Sequence, residues 1–197
     1  ASPPYKVFSR HGYGIGWASD RLTALPKEQL RGGPAENWEL GTRDTGAYAT
    51  FTDVVDYFAW LGGHFTDSGD KRARIEAAAE AIHAHEKTLT DAMLYGTGNL
   101  KGLSEMPGVG IIGGVENPAR EGLVSLTVEG KEAAEVGTAL NAQGIRTHTR
   151  KADHYSGNVL EPLGLPSAVR VSLCHYNTVE EVARFLAVMA EITEGTA

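Results

Sequence analysis

A predicted strand that leads into a predicted helix carries an arginine suited to binding a carboxylate. From Val169 to Cys174 polar and apolar residues alternate, and this period of two predicts a strand with one buried face. Arg170 is one of the polar residues that alternate with Val169, Val171 and Leu173. The planar guanidinium can donate to two oxygens at once, which matches a carboxylate. The alternative for Arg170 is a strand arginine whose side chain only extends to solvent.

The helix after this strand has a recognisable start. Thr178 is a good N-cap residue, and Glu181 three residues later completes the pattern of a capping box. Apolar residues then recur at helical spacing, at Val182, Phe185, Leu186 and Met189. The pattern therefore predicts a helix that packs one face on the core and fixes the end of the Arg170 strand.

A second residue with useful chemistry is Lys6. The amine of a lysine is a nucleophile that can form an imine with a carbonyl compound. Lys6 follows Tyr5 and precedes a glycine-rich run, where a strand from Gly14 to Ala18 is predicted. Composition alone favours a simpler interpretation, a surface lysine near a flexible terminus.

The elements that position these residues are two long helices followed by alternating strands and helices. The helices are predicted from Thr45 to Leu61 and from Asp70 to Tyr95. Further along, strands are predicted at Val109–Gly113, Leu123–Val128 and Ile145–Thr149, with a helix at Gly130–Gln143. The pattern of strands and helices in the last ~90 residues therefore predicts a compact α/β sandwich.

Three segments spread over nearly the whole chain carry a family resemblance. They are "SPPYKVFSRHGYGIGWASDRL", "WELGTRDTGAYATFTDVVDYFAWLGG" and "VRVSLCHYNTVEEVARFL". In this order they resemble the class V aminotransferases, the fold-type I pyridoxal-phosphate enzymes that include cysteine desulfurases. The resemblance implies an α/β fold that corresponds to the C-terminal half of such an enzyme.

The resemblance also implies a set of site residues. Lys6 would be the Schiff-base lysine for pyridoxal 5'-phosphate, and Gly41 and Thr42 would reach across a homodimer to the partner's cofactor phosphate. Arg170 would hold the α-carboxylate of an amino-acid substrate, and Arg150 would be a second contact. Arg146 is an alternative to Arg150, and a role as a turn or helix-cap residue is the alternative for Thr42.

The chain departs from the family pattern near the lysine. Tyr5 stands where desulfurases usually have histidine, and Ser9-Arg10 replaces the usual Gly-Pro. A larger departure concerns Tyr155, which stands where the related desulfurases carry the catalytic cysteine of a loop. A phenol cannot accept a persulfide sulfur, so elimination, epimerisation or transamination is expected instead. Tyr155 or its neighbour His154 is then an acid, a base or an ordinary loop contact.

The family's chains are longer than this one. The resemblance to them assigns residues 1–95 to a remnant of the large cofactor-binding domain. Residues 96–197 would form the small C-terminal α/β domain. We expect a fragment, a processed product or one subunit of a split enzyme, completed by an N-terminal half or a partner chain. A non-catalytic dimerisation or binding subunit, in which Lys6 is vestigial, is the alternative.

Composition and charge narrow the range of possible binding partners and compartments. The net charge of −7 and the pI near 5.5 argue against a nucleic-acid surface, and no apolar stretch approaches the ~20 residues that span a bilayer. The single cysteine, Cys174, fits a reducing compartment, and we expect the cytoplasm. We interpret Cys174 as a small core residue of the Arg170 strand.

Two further patterns are not binding sites. His83 and His85 are two residues apart on a helix and diverge, so no metal site is expected. The glycines from Gly108 to Gly114 lie at a strand and precede no clear helix. Close strand packing explains them better than a dinucleotide site.

Overall fold

The computed structural model describes residues 4–38, 41 and 44–195. The described helices are α1 Asp20–Thr23, α2 Thr45–Gly62, α3 Lys71–Tyr95, α4 Ala133–Ala142, α5 Gly157–Leu160 and α6 Val179–Glu194. The described strands are β1 Gly96–Thr97, β2 Leu100–Lys101, β3 Val109–Ile111, β4 Leu123–Val128, β5 His148–Lys151 and β6 Ser167–Ser172. Single 3-10 turns lie at Pro4–Val7, Leu103–Glu105 and Glu161–Leu163. The chain divides into two units, residues 1–79 and 80–197.

The two long helices form where the apolar periodicity predicts them. Helix α2 begins after Asp44, whose carboxylate accepts a hydrogen bond from the Ala47 backbone N–H at 3.0 Å, as an N-cap residue does. Its buried positions include Ala47 and Val54, which are seven residues apart and therefore lie on one face. Helix α3 spans 25 residues and ends at Tyr95. Both predictions are confirmed to within one residue. No helix in the described parts of the chain is long and apolar enough to cross a membrane.

The predicted strand from Gly14 to Ala18 is wrong. These residues belong to no strand of the structure. Only Ile15 forms an isolated β-bridge, and a single bridge does not supply the series of paired backbone N–H and C=O groups that a strand needs. The strand that the family resemblance implied here is therefore reduced to one bridge.

A four-stranded antiparallel sheet organises the second unit, with the strand order β3-β4-β6-β5. In β4 the buried residues are Val124, Leu126 and Val128. Val169 and Val171 of β6 are buried in the same core cluster as residues of α4 and α6. Successive strand residues point to opposite faces, so one face of the sheet carries the core and the other is open. The predicted α/β fold is confirmed.

Helix α6 closes this core as its sequence predicts. The Thr178 hydroxyl accepts from the Glu181 N–H at 3.3 Å, and the Glu181 carboxylate accepts from the Thr178 N–H at 2.9 Å. Phe185, Leu186 and Met189 are buried, and each such side chain contributes about 1.5–3 kcal/mol relative to an exposed one. The capping box therefore starts a helix whose apolar face covers the sheet.

Strand β5 begins later than predicted, at His148 rather than Ile145. Gly144, with φ +73°, ends helix α4 in the left-handed conformation. The Ile145 N–H donates to the Leu140 carbonyl at 2.9 Å and the Gly144 N–H to the Asn141 carbonyl, which is the Schellman arrangement. Because the helix end uses the backbone of Ile145, strand pairing starts only after it.

Strand β3 ends at Ile111 rather than Gly113, and close strand packing explains only Gly110. Gly108, Gly113 and Gly114 lie outside the strand with positive φ, a backbone conformation that favours glycine. Gly110 lies opposite Thr127 of β4. A Cβ at Gly110 would lie 2.8 Å from the Thr127 hydroxyl oxygen. A larger residue at this position would require the Thr127 side chain to shift.

Replacing Thr178 with alanine tests the cap of α6. We expect Thr178→Ala to lower the free energy of unfolding by about 1 kcal/mol, because the Glu181 N–H loses its acceptor. Thr88→Ala is the matched control, since that hydroxyl is exposed and bonds only to the Ala84 carbonyl within α3. Urea unfolding followed by circular dichroism measures both. Equal effects of the two substitutions would contradict the capping role.

Candidate functional site

Arg170 lies in the middle of the sheet on its open face. Its neighbours across the strands are Ser125 of β4 and His148 of β5. The adjacent residues Val169 and Val171 are buried in the core, so the alternation along β6 directs the Arg170 side chain away from it. The predicted alternation of Arg170 with buried valines is confirmed.

The sheet register brings Arg150 to the same face. Arg150 pairs with Ala168, while Arg170 pairs with His148, so the two arginines are diagonal neighbours across β5 and β6. Both line one surface cavity of about 190 Å³. Its other polar side chains belong to Ser125, Tyr155 and Ser156.

Two acceptors fix the Arg150 guanidinium. Its Nε donates to the Ser156 hydroxyl at 2.8 Å. Its Nη1 lies 3.2 Å from His148 Nε2. Arginine has only donors, so His148 Nε2 must accept this bond and its ring carries the proton on Nδ1. His148 and Ser156 therefore hold Arg150 from two sides.

Arg170 is held less completely. Its Nε is buried and has no hydrogen-bond partner in the described part of the chain. Within the same residues, neither Arg170 nor Arg150 forms an ion pair with a carboxylate. Buried polar groups in folded proteins almost always have partners. An arginine pair of this kind, with serine hydroxyls beside it, is chemically suited to a bound carboxylate or another small anion.

The charges of this pair act on the neighbouring histidine. Loss of water around the ring lowers the pKa of His148, and the positive charges of Arg170 and Arg150 lower it further. His148 is therefore neutral at pH 7, in agreement with its role as an acceptor for Arg150.

Tyr155 lies at the mouth of the cavity. Its side chain is 73% exposed, and its ring lies 4.1 Å from the ring of His154. The Asp153 carboxylate accepts from the Tyr155 and Ser156 N–H groups, and these bonds lower the pKa of Asp153. The turn that carries Tyr155 is thus held by the Asp153 side chain, with the phenol at the rim of the cavity.

Cys174 does not lie in the strand, contrary to the interpretation from its sequence. Strand β6 ends at Ser172, because the Cys174 N–H donates to the Asn177 side chain at 2.8 Å and turns the chain toward α6. The residue is half-buried. Burial raises the pKa of the Cys174 thiol, with a smaller contribution from Glu86, so the thiol stays protonated and is a weak nucleophile.

Lys6 lies in the first unit, in the 3-10 turn Pro4–Val7. The side chain is exposed, and its Nζ lies 5.6 Å from the centre of the Tyr5 ring. Tyr5 in turn stacks on His11 at 4.3 Å. Lys6 makes no ion pair with the described residues. Its amine is therefore accessible to a carbonyl compound, which is what covalent binding of a cofactor aldehyde requires.

The segment after Lys6 is tied to helix α2 by a buried serine. The Ser9 hydroxyl lies 2.6 Å from the Tyr13 hydroxyl and 2.9 Å from that of Thr50. The preceding residue, Phe8, has φ +74°, which is strained for a bulky side chain and persists only where the surroundings enforce it. Sequence patterns gave no signal for this anchor.

The two predicted phosphate residues are only partly described. Gly41 is exposed and has open space around its Cα, whereas Thr42 lies outside the described residues. At the adjoining start of α2, the Asp44 carboxylate forms an ion pair with Arg10 at 3.1 Å. The phosphate roles of Gly41 and Thr42 remain predictions.

Other residues singled out in the sequence do not line this cavity. Arg146 lines a different cavity in the second unit, together with Arg184. His83 contacts Glu121 at 3.2 Å, whereas His85 donates to the Asn177 carbonyl at 2.9 Å, which confirms that the two histidines diverge. His148 was missed because the predicted strand ended at Thr149, so its position two residues before Arg150 on one strand face was not considered.

The sequence is similar to that of known enzymes. The family model "Aminotransferase class-V" matches residues 73–185, more than half of the chain. A probable cysteine desulfurase of Mycobacterium leprae is 30% identical over 206 residues, which cover 97% of this chain and 30% of that protein. A probable cysteine desulfurase of Mycolicibacterium paratuberculosis is 33% identical, with 87% of this chain and 21% of that protein covered.

Solved structures show the same similarity. The apo cysteine desulfurase of Thermococcus onnurineus matches with a TM-score of 0.64 and 25% identity, over 82% of this chain and 34% of that one. A cysteine desulfurase of Escherichia coli matches with a TM-score of 0.55 and 19% identity, over 81% and 33%, and supports the fold alone. The chain thus spans about a third or less of these proteins.

Replacing Ser9 with alanine tests the anchor after Lys6. We expect Ser9→Ala to speed trypsin cleavage after Lys6 and Arg10 several-fold, because the segment loses its bonds to Tyr13 and Thr50 and opens more often. Ser19→Ala is the control, since the Ser19 side chain makes no capping bond to α1. Timed digestion with mass spectrometry measures the rates. Unchanged cleavage in Ser9→Ala would contradict the anchor.

Proposed function

Because the chain belongs to the class V aminotransferase family, we propose that it contributes the cofactor lysine and the substrate-carboxylate arginine of a pyridoxal-phosphate enzyme acting on an amino acid. The cofactor, when bound, supplies an electron sink for the negative charge that develops at the substrate's Cα. The residues of this chain would bind and orient the cofactor and the substrate, and would move protons at the substrate's Cα.

Lys6 is the residue we assign to covalent cofactor binding. Its accessible amine supports this role, and the Ser9 anchor to α2 keeps the segment in place. The same amine, when free, could remove or return the proton at the substrate's Cα. Gly41 and Thr42 are proposed to bind the cofactor phosphate of a homodimer partner.

The observation that carries the proposal is the arginine pair in one cavity. Arg170 has a buried, unpartnered Nε, and Arg150 is fixed beside it by Ser156 and His148. Neither guanidinium has a carboxylate partner among the described residues, and such a pair suits the α-carboxylate of an amino acid. We propose that Arg170 is the main contact and Arg150 the second.

The proposed reaction is elimination, epimerisation or transamination rather than desulfuration. Tyr155 lines the cavity with a phenol, which cannot carry a persulfide. Cys174 does not replace it, because its thiol is half-buried and stays protonated. All three proposed reactions begin with removal of the Cα proton, for which Lys6 is the candidate base.

The chain spans 30% of the Mycobacterium leprae protein, so we propose that activity needs further polypeptide, as an N-terminal half or a partner chain. Residues 1–95 would belong to the large domain and residues 96–197 to the small one. The single cysteine supports a reducing compartment, and we propose the cytoplasm.

Substituting Arg170 tests the proposed carboxylate site. We expect acetate to shift the Nε–H resonances of Arg170 and Arg150 in NMR spectra. Arg170→Gln should weaken acetate binding at least five-fold, since the strongest charge-assisted bonds are lost. Arg170→Lys should retain part of it, because a point charge replaces the fork.

Two controls separate this site from general charge effects. Arg146→Gln removes the same charge from the other cavity of the second unit and should leave acetate binding unchanged. Arg120 also has a buried, unpartnered Nε, but carbonyls of Ile112, Gly114 and Leu123 hold its guanidinium, so its resonance should not shift. Equal losses in Arg170→Gln and Arg146→Gln would overturn the proposal and favour a non-catalytic subunit.

A further inference from the structure

We propose that His148 is a positioning residue for the arginine pair and makes its affinity for anions depend on pH. In this inference the neutral imidazole holds Arg150 in its binding orientation, and the protonated imidazole releases it. The inference rests on the proposed role of Arg150 and Arg170 as an anion site. It adds a residue to which the family resemblance gives no role.

The geometry makes His148 one of two acceptors that fix Arg150. Ser156 takes the Nε–H at 2.8 Å and His148 takes an N–H of Nη1 at 3.2 Å. With both bonds formed, the guanidinium cannot rotate about its last side-chain bonds. Its other N–H groups are then free to bind an anion in the cavity that Arg150 and Arg170 both line.

The sheet register places His148 between the two charges. His148 is opposite Arg170 across β5 and β6, and it is two residues before Arg150 on the same strand face. These two arginines are the charged groups that face its ring. Asp153, in the turn after β5, interacts with His154 and with Arg150. Helices α4 and α6 lie on the core face of the sheet, where Val169 and Val171 are buried.

Protonation of His148 would break the arrangement. The imidazolium has two N–H groups and no acceptor, so its Nε2 and the Arg150 Nη1 would become two donors 3.2 Å apart, both positively charged. The guanidinium cannot lose its proton to relieve this contact. One of the two side chains must move, and Ser156 alone then holds Arg150.

The neighbouring charges and the loss of water keep His148 neutral at pH 7, because they lower its pKa from the ordinary value near ~6.5. A lowered pKa means that protonation occurs only as the pH falls below that ordinary value. The acceptor bond is therefore present at neutral pH and is lost on acidification.

The test compares sulfate binding by the native protein with that of two variants. Sulfate keeps its charge across the mildly acidic range, so the anion itself does not titrate. His148→Gln keeps a side-chain acceptor that never becomes charged, and His148→Ala removes the acceptor. His148 is exposed, so neither substitution disturbs the core. Binding is followed by the Nε–H resonances of Arg150 and Arg170.

We expect native affinity for sulfate to fall at least five-fold, relative to His148→Gln, when the pH is lowered from neutral through the pKa of His148. At acidic pH His148→Gln should bind sulfate as tightly as the native protein does at neutral pH. At neutral pH His148→Ala should bind sulfate as weakly as the native protein does at acidic pH. The ring resonances of His148 should titrate over the same range as the loss of affinity.

Three outcomes would overturn the inference. Identical pH profiles for the native protein and His148→Gln would show that the imidazole plays no part. Tighter native binding in acid, absent from His148→Gln, would make His148 a third cationic ligand instead. Sulfate that shifts neither arginine resonance in any variant would overturn the anion site itself. In the first two cases that site stands, so the two failures are distinguishable.

Discussion

Two guanidinium groups on the open face of one antiparallel sheet impose the constraint on which the site depends. Arg170 and Arg150 are permanently charged, and no carboxylate of the described chain pairs with either. Like charges brought together and partly removed from water cost free energy unless an anion joins them. The chain tolerates this cost in a cavity that also offers serine hydroxyls. Such an arrangement is expected of a binding site and has no evident structural purpose.

The core determines that the arginines reach this face. Val169 and Val171 are buried on one side of β6, so a register shift by one residue would bury Arg170 and expose both valines. The valines share one core cluster with residues of α4 and α6, and the Thr178–Glu181 capping box fixes where α6 begins. The orientation of Arg170 is thus a consequence of hydrophobic packing several residues away. Its pairing with His148 follows from the same register.

Sequence patterns predicted the elements that are encoded by residues close together in the chain. The alternation around Arg170, the capping box at Thr178 and the two long helices all appear in the structure, because each comes from local periodicity. The features they missed depend on single backbone conformations or distant contacts. The Schellman turn at Gly144 moved the start of β5. The predicted strand also ended at Thr149, one residue before Arg150, so the link between His148 and Arg150 was not predicted. The strained Phe8 and the bonds from Ser9 to Tyr13 and Thr50 have no periodic signature.

The most direct measurement is covalent trapping on Lys6. The native protein, isolated in its own assembly, would be incubated with pyridoxal phosphate, reduced with borohydride and mapped by peptide mass spectrometry. We predict that the label falls on Lys6 and is absent from Lys6→Arg, whose guanidinium is not a useful nucleophile. Lys27→Arg is the control, because the Lys27 amine already donates to the Asn37 carbonyl and lies over the Trp38 ring. This variant should be labelled on Lys6 to the same extent as the native protein. A label on other lysines only, or none on a folded protein, would contradict the assignment and leave a non-catalytic chain.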